Sequence, residues 1–190
     1  MANHSKKPAV RKGRHVHPTA DHAMAPYLLQ MRKAAPRGTD FDATTLGLLL
    51  LFLADDVSRS VASRLEKYGI SEKKLDVLML FTANNWDQHA DEAPTPTGIA
   101  DYMNVTPASA TGLLDWLETR GLIDRKHHPT DRRSIQTAIT PKGRELVAQV
   151  LPTFCSACEN LALGLTERDR AALKRVLSKV WNHIKGVDAP

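Results

Sequence analysis

With 190 residues, 42% of them hydrophobic, the chain can supply the core of one compact domain or two small ones, which excludes disorder throughout. The formal charge of +5 suggests a polyanionic partner, yet residues 1–37 hold eight Lys/Arg against Asp21 alone, so the excess belongs mostly to an N-terminal arm. The longest apolar run, Leu46 to Ala54, is nine residues against the roughly 20 of a membrane span, no apolar core follows the basic N-terminus as in a secretory signal, and Cys155 and Cys158 are too close for a useful disulfide loop, so a cytoplasmic, nucleoid-associated protein is expected.

In chain order, residues 1–40 mix Lys, Arg, four His and several Pro with a brief apolar patch at Tyr27 to Leu29 and Met31. This composition predicts a flexible basic arm with one short helical turn. From Thr45, Leu46, Leu49, Leu50, Leu53, Val57, Val61 and Leu65 recur at spacings of three and four, which predicts a long helix ending at Gly69. Its first half is apolar nearly all round and should be covered on more than one side. Ser71 is the expected N-cap of a helix from Glu72 to about Ala83, buried through Leu75, Leu78, Met79 and Phe81. Residues 84–97, with two prolines and three acids, are expected to form a loop.

A short helix over Thr97 to Met103 and a tight break at Asn104-Val105 lead to Thr106, a second N-cap followed by Pro107 at the first helical position. Two short helices across a tight turn make a helix-turn-helix candidate. Ala110, Leu113, Leu114 and Leu117 line the inner face of the second helix, leaving Ala108, Ser109, Thr111, Gly112 and Asp115 on or near the other. Such a small, polar surface can enter a major groove about 12 Å wide without collision. Beyond Gly121 the alternation of Ile135, Thr137 and Ile139 predicts a β-hairpin whose tip carries Asp131, Arg132 and Arg133. Around it Arg120 to Arg144 holds seven basic residues against Asp124 and Asp131, a second concentration of positive charge. Thr140-Pro141 opens a long helix whose apolar positions Leu146, Val147, Val150, Leu151, Phe154, Cys158, Leu161 and Leu165 keep helical period through Pro152, where a kink is expected. Thr166 to Asp169 resembles a capping box, and Leu173, Val176, Leu177, Val180, Trp181 and Ile184 form the stripe of a final helix.

Gly98-Ile-Ala100, Val105 to Leu117, Arg120-Gly-Leu-Ile-Asp-Arg125, Asp131-Arg-Arg-Ser134 and Ile139-Thr-Pro-Lys-Gly143 resemble the MarR family of winged-helix transcriptional regulators in order and separation, over about residues 45–186. The resemblance implies a mainly α fold with a small β-hairpin wing, an α+β arrangement in which a winged helix-turn-helix lobe joins a helical dimerisation lobe. The implied division is an arm at 1–40, helical dimerisation regions at 41–70 and 145–186, and a DNA-binding domain at 71–144. It further implies a homodimeric repressor of palindromic double-stranded DNA, released by a small-molecule effector, with an aromatic carboxylate as the candidate class. The basic arm lies outside this likeness.

The expected DNA-binding residues are Thr106, Pro107, Ala108, Ser109, Thr111 and Gly112 on the second helix and Arg125, Lys126, Asp131, Arg132 and Arg133 on the wing. Phosphate contacts supply affinity, while groove contacts select sequence. Arg133 matches the family's minor-groove arginine, Arg132 suits a phosphate with Arg125 and Lys126 behind it, and Asp131 braces the tip by bonding its own backbone. Arg59, Trp86 and Phe154 are the candidates to face an effector cleft. Cys155 and Cys158 offer an alternative, a thiol-based redox-sensing repressor, although Cys158 falls on the apolar stripe and no Lys or Arg lies near to lower a thiol pKa. A second alternative is a sequence-indifferent DNA-coating, architectural protein driven by the arm. No phosphate loop, nucleophile elbow, HExxH or paired acids occur, so no enzyme, cofactor or metal is expected.

Overall fold

A computed structural model describes residues 19–83, 96–127 and 135–186, apart from the side chains of residues 126, 127, 135 and 136. They form a mainly helical chain in the order α1 (Ala20–Ala34), α2 (Phe41–Leu65), a 3-10 turn (Glu66–Tyr68), α3 (Glu72–Ala83), α4 (Pro96–Met103), α5 (Pro107–Thr119), β1 (Ile123–His127), β2 (Ile135–Ile139), α6 (Pro141–Leu161) and α7 (Glu167–Lys185). No helix among the described residues is long and apolar enough to cross a membrane. The chain divides into two compact units, residues 1–56 and 57–190.

The first unit corrects the expectation for the arm: in place of one short turn, α1 runs for 15 residues. Thr19 caps it by accepting from the His22 N–H at 3.4 Å, and Met24 is buried at 2% exposure. Tyr27 meets Phe52 of α2 edge-on at 5.2 Å between ring centroids, and the Arg32 guanidinium lies 4.5 Å over Phe41. Aromatic and cation–π contacts of these kinds contribute about 0.5–1.5 kcal/mol each. α2 starts four residues before Thr45, because the Asp40 carboxylate accepts from the backbone N–H groups of Asp42 and Ala43, both at 3.0 Å.

In the second unit Val61, Leu65, Ile70, Leu75, Leu78, Phe81, Ile99, Leu114, Leu117, Ile123, Val147 and Val150 share one core. Fully burying a side chain of this kind is worth about 1.5–3 kcal/mol. Gly69 ends the 3-10 turn at φ +65, a left-handed backbone that suits glycine. β1 and β2 pair antiparallel in the register Ile123↔Ile139 to His127↔Ile135. Thr137 and Ile139 point inward as predicted.

α6 passes through Pro152 without interruption but ends at Leu161, so Leu165 lies beyond the turn at Gly164 (φ +84), not on the same helix face as expected. The buried positions of α6 are Gly143, Val147, Val150 and Ala157. Cys158 is exposed, and so is Cys155, which overturns the placing of Cys158 among buried apolar residues. The stripe advances from Val150 through half-buried Phe154 to Ala157, and its successor is turned outward. α7 carries the predicted capping box, Thr166 Oγ1 accepting from the Asp169 N–H at 3.2 Å and Asp169 Oδ2 accepting from the Thr166 N–H at 3.1 Å. It buries no residue: Leu173, Val176, Leu177, Trp181 and Ile184 all remain exposed.

Candidate nucleic-acid interface

The tight break between α4 and α5 is built from backbone. Asn104 takes φ +52, the Val105 N–H donates to the Ala100 carbonyl at 3.0 Å, and the Asn104 N–H to the Asp101 carbonyl at 3.2 Å. Asparagine tolerates this left-handed conformation better than most side chains. Thr106 then leaves the helix in extended backbone, with its Oγ1 accepting from the Ser109 N–H at 3.2 Å and lying 2.9 Å from Ser109 Oγ. Thr111 Oγ1 donates to the Pro107 carbonyl at 2.9 Å.

These bonds leave one face of α5 apolar and sealed, and the other small and wet. Ala110, Leu114 and Leu117 are fully buried, whereas Thr106, Pro107, Ala108, Ser109, Thr111, Gly112 and Asp115 are all exposed. A Cβ added at Gly112 would meet no atom within 4 Å, so nothing inside the fold requires a glycine there. The six expected residues of α5 are thus brought together on one surface over its first two turns, where the helix dipole and the N-terminal N–H groups favour an anion.

The wing is anchored to this helix. Arg125 of β1 does not project as a basic side chain beside the tip; its Nη1 sits 2.7 Å from Asp115 Oδ1 and 3.6 Å from Glu118 Oε2, and its side chain is only 17% exposed. Its Nε and Nη2 are buried without a hydrogen-bond partner among the described residues. Arg125 is therefore a strut between strand and helix, a role that sequence reasoning missed. At the hairpin's other end, Thr140 Oγ1 donates to the Gly121 carbonyl at 2.8 Å, the Thr140 N–H to the Leu122 carbonyl at 3.1 Å, and the Gly143 N–H to Thr140 Oγ1 at 3.0 Å. A Cβ on Gly143 would collide with the Leu122 carbonyl oxygen and lie 2.8 Å from Ile139 Cγ1. The Thr-Pro-Lys-Gly start of α6 is thus a clamp on the base of the wing.

Asp131, Arg132, Arg133 and Trp86 lie outside the described residues, and Lys126 is described only as backbone in β1. Arg59 is exposed on α2, and Phe154 is half-buried against the core from α6. Trp116 and Arg120, which no motif singled out, form a stack on the far half of α5, with the Arg120 guanidinium and the Lys74 ammonium each 3.8 Å from the Trp116 ring centre. Among the described residues no cluster of three or more His, Cys, Asp or Glu could hold a metal ion.

The MarR family model matches residues 88–135. The HTH-type transcriptional repressor YetL of Bacillus subtilis is 31% identical over 150 residues, covering 76% of this chain and 85% of YetL. Among solved structures, CouR from Rhodococcus jostii RHA1 bound to p-coumaroyl-CoA superposes with a TM-score of 0.58 at 27% identity, covering 71% of this chain and 90% of CouR. The S. aureus MepR–DNA complex gives 0.64 at 23% identity over 72% of this chain and 96% of MepR, a likeness of fold.

Proposed function

The chain belongs to the MarR family of transcriptional regulators, and from that premise we propose that it is a cytoplasmic, ligand-responsive repressor that binds palindromic double-stranded DNA as a homodimer. The observation that carries the DNA half is the exposed, side-chain-poor start of α5. Thr106, Ser109 and Thr111 present hydroxyls, Ala108 and Gly112 present almost nothing, and the opposite face is locked in the core. In this reading Thr106 to Gly112 enter the major groove, Arg133 enters the adjacent minor groove, Arg132 with Lys126 meets phosphate, and Asp131 shapes the tip. Residues 71–144 act as the DNA-binding domain, and residues 41–70 and 145–186 as the dimerisation region.

Support for the dimer comes from α7, a 19-residue helix with an apolar stripe that finds no cover among the described residues. Pairing about a twofold axis would cover that stripe and set two recognition helices for half-sites about 34–36 Å apart. An aromatic carboxylate is the effector class of this reading; the aromatic acyl group of the p-coumaroyl-CoA bound to CouR, a thioester and not a free acid, supports its aromatic part alone.

The test is binding of the full chain to the DNA upstream of its own gene, followed by fluorescence anisotropy across salt concentrations, with unrelated DNA as competitor. Specific retention at moderate salt, kept after deletion of residues 1–18, is expected. Equal loss to unrelated DNA would replace this reading with an arm-driven, sequence-indifferent one.

A further inference from the structure

The outer surface of α5 has two flanks that differ in charge. With 3.6 residues per turn, Thr111, Asp115 and Glu118 fall on one side of the line through Ala108 and Gly112, and Ser109, Trp116 and Arg120 fall on the other. The first flank faces the wing, since Asp115 and Glu118 both hold Arg125 of β1. The second faces α3, whose Lys74 reaches Trp116. We infer that Lys74 and Arg120 grip the sugar-phosphate backbone along the edge of the major groove opposite the wing, so that one DNA-binding domain holds both strands. The inference rests on the repressor reading above, in which the phosphate contacts named belong to the wing.

Trp116 is what makes a site of two surface cations. The Arg120 guanidinium and the Lys74 ammonium each lie 3.8 Å from its ring centre. The face of an indole attracts a cation, and here it holds two like charges from different helices close together. Among the described residues no carboxylate pairs with either. Stacking leaves the in-plane N–H groups of the guanidinium available, and their fork matches two oxygens of a phosphate. Lys142 of α6 fixes the end of the helix, its Nζ donating to the Arg120 carbonyl at 2.8 Å. The pair is thus in place before any polyanion arrives.

Length along the helix decides what the pair can touch. Arg120 stands eight residues beyond Gly112, about 12 Å along the axis at 1.5 Å per residue, and the major groove is itself about 12 Å wide. A helix that sets Gly112 among base edges carries Arg120 out to the level of the backbone that walls the groove. A cation there adds affinity without sequence information and makes that affinity salt-dependent. Arg132 and Lys126 serve the strand on the wing side.

The test is fluorescence anisotropy of the full chain on labelled upstream DNA and on an unrelated duplex of equal length, across a salt series. Lys74→Gln and Arg120→Gln should each lower the slope of log affinity against log salt by about 0.9, the share of one B-DNA phosphate, and weaken both duplexes alike, about fivefold at roughly 0.15 M salt. Lys74→Arg and Arg120→Lys keep the charge and should keep the slope, whereas a packing role for the stack would not sort the variants by charge. Lys33→Gln on α1 neutralises an exposed lysine elsewhere and should leave the slope unchanged. A parental slope in either Gln variant, or an equal fall in Lys33→Gln, overturns the grip. Hydroxyl-radical footprinting reads the edge: the Gln variants should lose protection at backbone positions other than those lost in Arg132→Gln, and loss at the same positions overturns the two-strand arrangement. A chain with the slope effect but no preference for upstream DNA keeps the grip and loses the repressor. Preference for upstream DNA with parental slopes keeps the repressor and loses the grip.

Discussion

Gly112 separates folding from function more cleanly than any other position on α5. It lies in the interior of a 13-residue helix, and a methyl group there would meet open space. Glycine in a helix interior costs about 1 kcal/mol relative to alanine. Gly112→Ala should therefore stabilise the chain by about that amount, which for a chain of this size raises the melting temperature by roughly 2–4 °C. Gly112→Leu keeps most of the same gain, since leucine is also a good helix former, but places a branched side chain on the surface proposed to enter the groove. A groove about 12 Å wide has little room beside a helix of about 10–12 Å. DNA binding should weaken at least tenfold, about 1.4 kcal/mol. Thermal melting followed by circular dichroism and fluorescence anisotropy on upstream DNA read the two effects. A stabilised Gly112→Leu chain that binds DNA as well as the parent would show that this face is not the one in the groove. A lower melting temperature for Gly112→Ala would refute the packing argument itself.

Gly143→Ala should have the opposite effect on stability. The methyl drives into the Leu122 carbonyl and Ile139, and overpacking plus a weakened Thr140–Leu122 hydrogen bond costs about 2–4 kcal/mol, measurable by urea unfolding; an unchanged midpoint would rule out the clamp. Arg133→Ala should weaken upstream-DNA binding by about 1–3 kcal/mol, the range of a good groove contact, and an unchanged affinity at moderate salt would remove Arg133 from the interface. Burial, with Glu72 adding to it, raises the pKa of the Asp76 carboxyl above its ordinary 3.8 against the opposing pull of Lys73. Protonated Asp76 is thus the form the fold favours, and its contribution, complete below the unfolded value, is lost as pH rises through the raised one. Asp76→Asn should be more stable than the parent at pH 7, with the margin shrinking as pH falls toward 3.8; denaturant unfolding at two pH values checks this, and a less stable variant at pH 7 contradicts it. A Cys155→Ser/Cys158→Ser chain that still releases DNA on peroxide treatment would remove the thiol-switch alternative, for which the exposure of both cysteines gives the oxidant access.

Much of this molecule is written in period and punctuation. The recognition helix was legible because Thr106-Pro107 fixes its start and Ala110, Leu114 and Leu117 fix its inward face, so the outward residues follow by subtraction. α1 was not read, although Met24, Leu28 and Met31 stand at helical spacing, because Pro26 and the surrounding charge weigh toward disorder and the burial of Met24 depends on a neighbouring helix. The pairing of Arg125 with α5 was not legible for a different reason. Sequence shows the charge of an arginine but not its direction, and only the fold brings Asp115 and Glu118, ten and seven residues earlier, within reach. The Trp116 stack is invisible for the same cause, since Lys74 lies on another helix.

An outward apolar stripe on α7 makes abundance a chemical variable for this regulator. If a second copy is what covers Leu173, Leu177 and Trp181, the folded state gains stability by mass action as protomers accumulate. Occupancy of a two-half-site operator then rises more steeply than in proportion to the amount of chain, and a modest fall in expression releases the promoter without any ligand.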